Sequence, residues 1–214
     1  MPKRSVRGDM MRQAIAREAA RLMIEHGHED YGVAKRKAAE RFGVTDLAVL
    51  PKNTEIEDAL AEHQRLFGAE EHANELTEMR VVAVEAMRLL EEFEPRLVGP
   101  LLSGTATAHN DITLHLFADT PENVAVRLID RGIRHEFAER RYRTQRDEVE
   151  AYPAVRFAAG SHEVDATIFP KDGIRRAPPG PVDGRPMRRA TLDEVRSLLT
   201  AGRDAPLFKG DAPL

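Results

Sequence analysis

Between Asp111 and Phe117 the chain reads Asp-Ile-Thr-Leu-His-Leu-Phe, and this alternation restricts the stretch to an extended strand. Successive side chains of a strand leave on opposite faces, so Ile112, Leu114, Leu116 and Ala118 share one side while Asp111, Thr113, His115 and Phe117 share the other. The aliphatic side demands a core to pack on. The other side opens with an acid, a hydroxyl and an imidazole, which a strand serving only as scaffold has little use for. Immediately upstream, the apolar run Leu97-Val98-Gly99-Pro100-Leu101-Leu102 is broken by its Gly-Pro pair and leads into Ser103-Gly104-Thr105.

The remaining elements arrange themselves around this strand. Before it the pattern is helical: apolar positions recur at helical spacing over 9–26, 30–42, 54–67 and 70–93. Gly27, Gly43, Gly68 and Pro95 stand at the ends of these segments, and Thr54-Glu55-Ile56-Glu57 has capping-box spacing. After Pro95, strands are expected at 97–102, 111–118, 133–142, 154–159 and 162–169. A helix opened by Thr120-Pro121 separates the second and third, and Gly160-Ser161 turns the last two into a hairpin. A proline- and arginine-rich connection follows, then a final helix begun by Thr191-Leu192-Asp193-Glu194. The expected class is α+β, in which a helical N-terminal region (1–69) precedes a mixed sheet with covering helices (70–201) and a loose tail (202–214).

The 214 residues include no cysteine, which excludes disulfides, thiolate metal sites and cysteine nucleophiles. A net charge of -4 argues against a general nucleic-acid coat. Residues 34–45 have a helix-turn-helix rhythm, but the would-be recognition segment Asp46–Leu50 is short and carries no Lys or Arg, so nucleic acid is not the expected partner. No apolar run approaches the ~20 residues of a membrane helix, and the basic start lacks the apolar stretch of a signal peptide. A cytoplasmic protein with no membrane partner is the expectation.

A second acidic strand is expected at 162–169, where Glu163, Asp165 and Thr167 share one side. If that strand neighbours the first, Asp111 and Asp165 approach on one face, and carboxylates so close repel unless a cation joins them. Mg²⁺ suits such a pair, since it binds through one or two carboxylates and the phosphates of a substrate. Asp111, Asp165 and Glu163 are therefore the metal candidates. The small-residue turn at Gly99, Ser103, Gly104 and Thr105 allows close approach of a phosphate to backbone N–H groups. Arg140, Arg141 and Arg143, in the arginine-rich stretch Arg134–Arg146, are candidates to neutralise a triphosphate.

The order of these pieces resembles the nucleotidyltransferase superfamily of DNA polymerase beta type over about residues 75–170. Gly99-Pro100 falls where that family carries Gly-Ser, Gly104 is similar to a second family glycine, and Asp111 and Asp165 are similar to its first and third metal-binding acids. The resemblance implies Mg²⁺, an NTP as donor, transfer of a nucleotidyl group to an acceptor that the sequence leaves unnamed, and catalytic roles for Asp111 and Asp165. Two positions depart from it: Thr113 stands where the family has a second Asp, and Pro100 replaces its Ser. An alternative follows from those departures, a catalytically degenerate nucleotide-binding or protein-interaction module of the same fold.

Overall fold

The computed structural model describes residues 6–27, 30–144 and 148–203. Arg146 and the tail beyond 203 lie outside the described residues. Helices α1 (Val6–His26), α2 (Tyr31–Arg41) and α3 (Asn53–Leu66) form the N-terminal layer. Their core joins Ile15, Leu22, Ile56 and Leu60 to the alanines Ala16, Ala19, Ala34 and Ala38, whose small side chains let α1 and α2 approach closely. Asp30 caps α2 by accepting from Val33 N–H at 2.8 Å. After Gly43 only a three-residue 3₁₀ turn forms, Leu47–Val49, so the helix-turn-helix rhythm produces no recognition helix.

The start of α3 differs from expectation. Its cap is one pair earlier than Thr54–Glu57, with Lys52 N–H donating to the Glu55 carboxylate at 2.7 Å. Glu57 is thereby released for contacts elsewhere. Helix α4 (Ala69–Leu89) runs on into a 3₁₀ turn at Glu91–Phe93 and leads to the sheet.

That sheet has five strands, β1 (Arg96–Leu97), β2 (Ile112–Phe117), β3 (His135–Arg143), β4 (Val149–Ala159) and β5 (His162–Phe169), in the order β1-β2-β5-β4-β3. β2 and β5 are parallel, and every other neighbouring pair is antiparallel. β4 and β5 close through Gly160-Ser161, with Gly160 in the left-handed region at φ 62°. The strand expected at 97–102 stops at Leu97. Gly99 turns the chain with φ 74°, and Pro100, which has no N–H for a ladder, becomes the first residue of the one-turn helix α5 (Pro100–Ser103).

One sheet face carries Ile112, Leu114, Leu116, Val155, Phe157, Val164, Ala166 and Ile168. They pack with Met79, Ala83, Met87 and Leu90 of α4, with Val124 and Leu128 of α6 (Pro121–Asp130), and with Val195 of α7 (Leu192–Arg203). The chain is thus α+β, with seven α-helices and one five-stranded mixed sheet among the described residues. None of these helices is long and apolar enough to cross a membrane. At α7 the expected capping box does form: Thr191 N–H donates to Glu194 at 2.7 Å and Glu194 N–H donates to Thr191 Oγ1 at 3.3 Å. Thr191→Ala should therefore cost about 1 kcal/mol, measured as a shift of the urea midpoint.

Candidate functional site

Helices α4, α6 and α7 pack on one side of the sheet, and the polar strand residues lie on the other. On that side β2 presents Thr113, His115 and Phe117 beside Asp165, Thr167 and Phe169 of β5, in register. Asp111 precedes Thr113 on the same face. From the opposite flank β4 places Arg156 against Asp165 and Ala154 against Thr167. The small side chain of Ala154 leaves room for Arg140, from the edge strand β3, to reach Asp165. Asp165 thus lies between a threonine and two arginines.

The face divides into a charged zone and an aromatic one. In the charged zone Arg140 hydrogen-bonds Asp165 Oδ2. Arg156 bridges the two acids, its Nη2 donating to Asp111 Oδ2 at 3.1 Å while its Nε lies 3.9 Å from Asp165 Oδ2. Asp165 is 4% exposed, whereas the Arg140 and Arg156 side chains are 39% and 40% exposed. The anion is buried and its cations reach solvent. The second carboxylate oxygen, Asp165 Oδ1, is buried with no hydrogen-bond partner among the described residues. An unpaired buried carboxylate oxygen is costly, and a divalent cation is one group that satisfies it.

The other expected residues fall as follows. Glu163 is exposed on the same face, two residues before Asp165. Arg141 and Arg143 alternate onto the opposite face of β3, away from the two acids, and Arg141 pairs with Glu139 at 3.0 Å. Among the described residues no group of three or more His, Asp or Glu side chains is placed to share a metal ion. A cation here would take protein ligands from Asp111 and Asp165, within the one or two carboxylates that Mg²⁺ uses.

Gly99 packs beside β2, where a Cβ would sit 3.8 Å from Thr113 Oγ1. Gly104 takes a left-handed turn at φ 85°, and its carbonyl accepts from His72 Nε2 at 2.9 Å. The Thr105 hydroxyl is committed to a carboxylate, and Ser103 Oγ lies 3.0 Å from Thr105 Oγ1 and 3.2 Å from the Pro100 carbonyl oxygen. Thr105 Oγ1 donates to Glu57 Oε1 at 2.8 Å, Ser103 Oγ lies 3.5 Å from the same oxygen, and Tyr31 donates to Glu57 Oε2. Burial and the Glu57 carboxylate both push the Tyr31 hydroxyl pKa up.

In the aromatic zone His115 is fully buried, although an alternating strand face suggested partial exposure. The covering element is the connection 170–190, pinned by Arg189. Its guanidinium lies 5.0 Å from the Phe117 ring centre and 5.1 Å from that of Phe169, and its Nη1 donates to the carbonyls of Gly173 at 2.9 Å and Ile174 at 3.2 Å. Arg189 Nε donates to His115 Nδ1 at 3.0 Å. Because an arginine only donates, His115 must accept there and carry its proton on Nε2, 3.2 Å from Tyr142 O–H. Tyr142 O–H and Thr167 Oγ1 in turn share a hydrogen bond at 3.1 Å. Desolvation first and the Arg189 charge second lower the His115 pKa to about 3.

Sequence reasoning did not single out Arg156, Tyr31 or Arg189, and it read Glu57 only as part of a helix cap. Arg156 had a detectable signal: the two-residue turn at Gly160-Ser161 makes paired positions sum to 321, which sets Arg156 against Asp165. No protein-family model, curated protein or solved structure matches this chain.

Proposed function

We propose that the charged zone binds a nucleoside triphosphate together with Mg²⁺ and transfers its nucleotidyl group to an acceptor hydroxyl. The observation that carries this is the pair Asp111 and Asp165, joined by Arg156, with Asp165 Oδ1 buried and lacking a partner among the described residues. The two acids would hold the cation, which supplies charge neutralisation at the reacting phosphate. The half-exposed guanidiniums of Arg140 and Arg156 are able to turn from carboxylate to phosphate oxygens, as charge-assisted pairs readily do. In the transfer the acceptor oxygen bonds the α-phosphorus as its bond to the bridging β-phosphate oxygen breaks. Pyrophosphate leaves, and the hydroxyl proton passes to Asp165. The resemblance to nucleotidyltransferases supports the same assignment.

A second function, nucleotide binding without transfer, is favoured by Thr113, Pro100 and the bridge that Arg156 makes between both acids. Thermal melts with each of the four NTPs and Mg²⁺ test both. A ligand at 100 times its Kd should stabilise the chain by about 2.7 kcal/mol. A shift without pyrophosphate release in the presence of candidate acceptors selects the second function, and no shift with any NTP removes both.

A further inference from the structure

A cavity of about 450 Å³ lies between the N-terminal helices, the Gly99–Asn110 segment and the Gly180–Arg188 loop. Its volume falls in the range of small-molecule sites, about 300–1,000 Å³. Its walls are largely apolar, from Met23, Leu60, Leu102, Val182 and Met187, and Arg185 and Arg188 also line it from exposed positions. It adjoins the charged zone directly. Asn110, the neighbour of Asp111, lines it, and so does Gly99, whose backbone packs on Thr113 beside Asp165.

Glu57 is the one acid from α3 in this lining, and it has no cationic partner among the described residues. A carboxylate offers about four lone-pair positions. Thr105 takes one of those on Oε1, and Tyr31 takes one of those on Oε2. One position on Oε2 is left over. Both donors are neutral hydroxyls, so the surroundings already treat Glu57 as a hydroxyl acceptor.

A ribonucleotide matches the apolar walls, Glu57 and the neighbouring arginines: a flat, weakly polar ring for the first, a sugar hydroxyl for the second, and phosphates for the third. We propose that the cavity holds the nucleoside end of a ribonucleotide, with Glu57 accepting a ribose hydroxyl and so selecting ribo- over 2′-deoxyribonucleotides. This rests on the nucleoside triphosphate proposed for Asp111 and Asp165, and it gives the N-terminal helices a part in the binding site.

The test measures binding of ATP, GTP, CTP and UTP, their 2′-deoxy counterparts, the free ribonucleosides and inorganic tripolyphosphate to the full chain, by calorimetry with Mg²⁺. At least one ribonucleotide should bind about ten- to a hundred-fold tighter than its deoxy form, the range for a hydrogen bond to a charged group. Glu57→Gln, which keeps an acceptor for Thr105, should abolish that ratio. Val182→Trp, which fills the cavity from its loop wall, should weaken nucleosides and leave tripolyphosphate unchanged. Equal ribo and deoxy affinities, or a ratio untouched by Glu57→Gln, would overturn the inference. Tripolyphosphate binding as tightly as any NTP, with no nucleoside bound, overturns it while leaving the metal–phosphate site standing. Conversely, nucleoside binding that survives Asp165→Asn upholds the cavity even if transfer is absent.

Discussion

Replacing both Arg140 and Arg156 with methionine is expected to destabilise the chain by about 3 kcal/mol, the low end for a buried charge stripped of its partners. The low end applies because both guanidiniums reach solvent and are partly screened. Asp165 stays behind, buried between β2 and β4, with Thr113 as its nearest register neighbour on β2. Adding Asp165→Asn should recover most of the loss, since an amide needs no counter-charge. Urea midpoints of parent, double and triple variants give the comparison. Millimolar Mg²⁺ should restore part of the stability of the double variant and none of the triple. Equal stability of parent and double variant would show that solvent already reaches the Asp165 carboxylate, and an absent Mg²⁺ effect would count against the metal assignment.

The second large effect is a dependence on pH. His115 is held neutral in the folded state, with its pKa lowered to about 3, while an unfolded chain binds the proton near 6.5. Between those values the unfolded state carries more protons, so stability rises with pH. The contribution is complete above about pH 6.5 and is lost as pH falls toward 3, at about 1.4 kcal/mol per pH unit. Carboxylates add to this slope, so the His115 share is isolated by difference. His115→Gln, whose amide both accepts from Arg189 and donates to Tyr142, should flatten the slope of stability between pH 6 and pH 4.5. A variant slope equal to that of the parent would mean that His115 is not buried in its neutral form.

These two networks were visible in the sequence to different degrees, for local reasons. Asp165 drew notice because an acid inside an alternating strand is rare, and its aliphatic neighbours Val164 and Ala166 settled which side it took. Its partner Arg156 lies in a similar apolar run and was recoverable through hairpin register. Arg140 was a candidate beside Arg141 and Arg143, and strand alternation then kept only Arg140 on the face with the acids. Glu57 was misassigned by its own motif. Thr-x-x-Glu spacing suits a helix start, but Glu55 takes that duty and Glu57 turns to Tyr31 and Thr105, the latter 48 positions away. His115 resembled a half-exposed strand residue because the connection that covers it is irregular and has no periodicity to read.

By itself the sequence determined the helical first half, the strand-rich second half, the β4–β5 hairpin and the faces of the two acidic strands, β2 and β5. Those follow from periods of 3.6 and 2 and from the backbone limits of glycine and proline, all set within a few residues. Only the tertiary structure decided that β2 and β5 lie side by side in parallel, that Arg156 joins Asp111 to Asp165, that Arg189 seals His115, and that Glu57 closes a cavity against Thr105. Each of these depends on segments distant in the chain meeting in one place. Their energies come from burial and charge pairing between partners that no local pattern specifies.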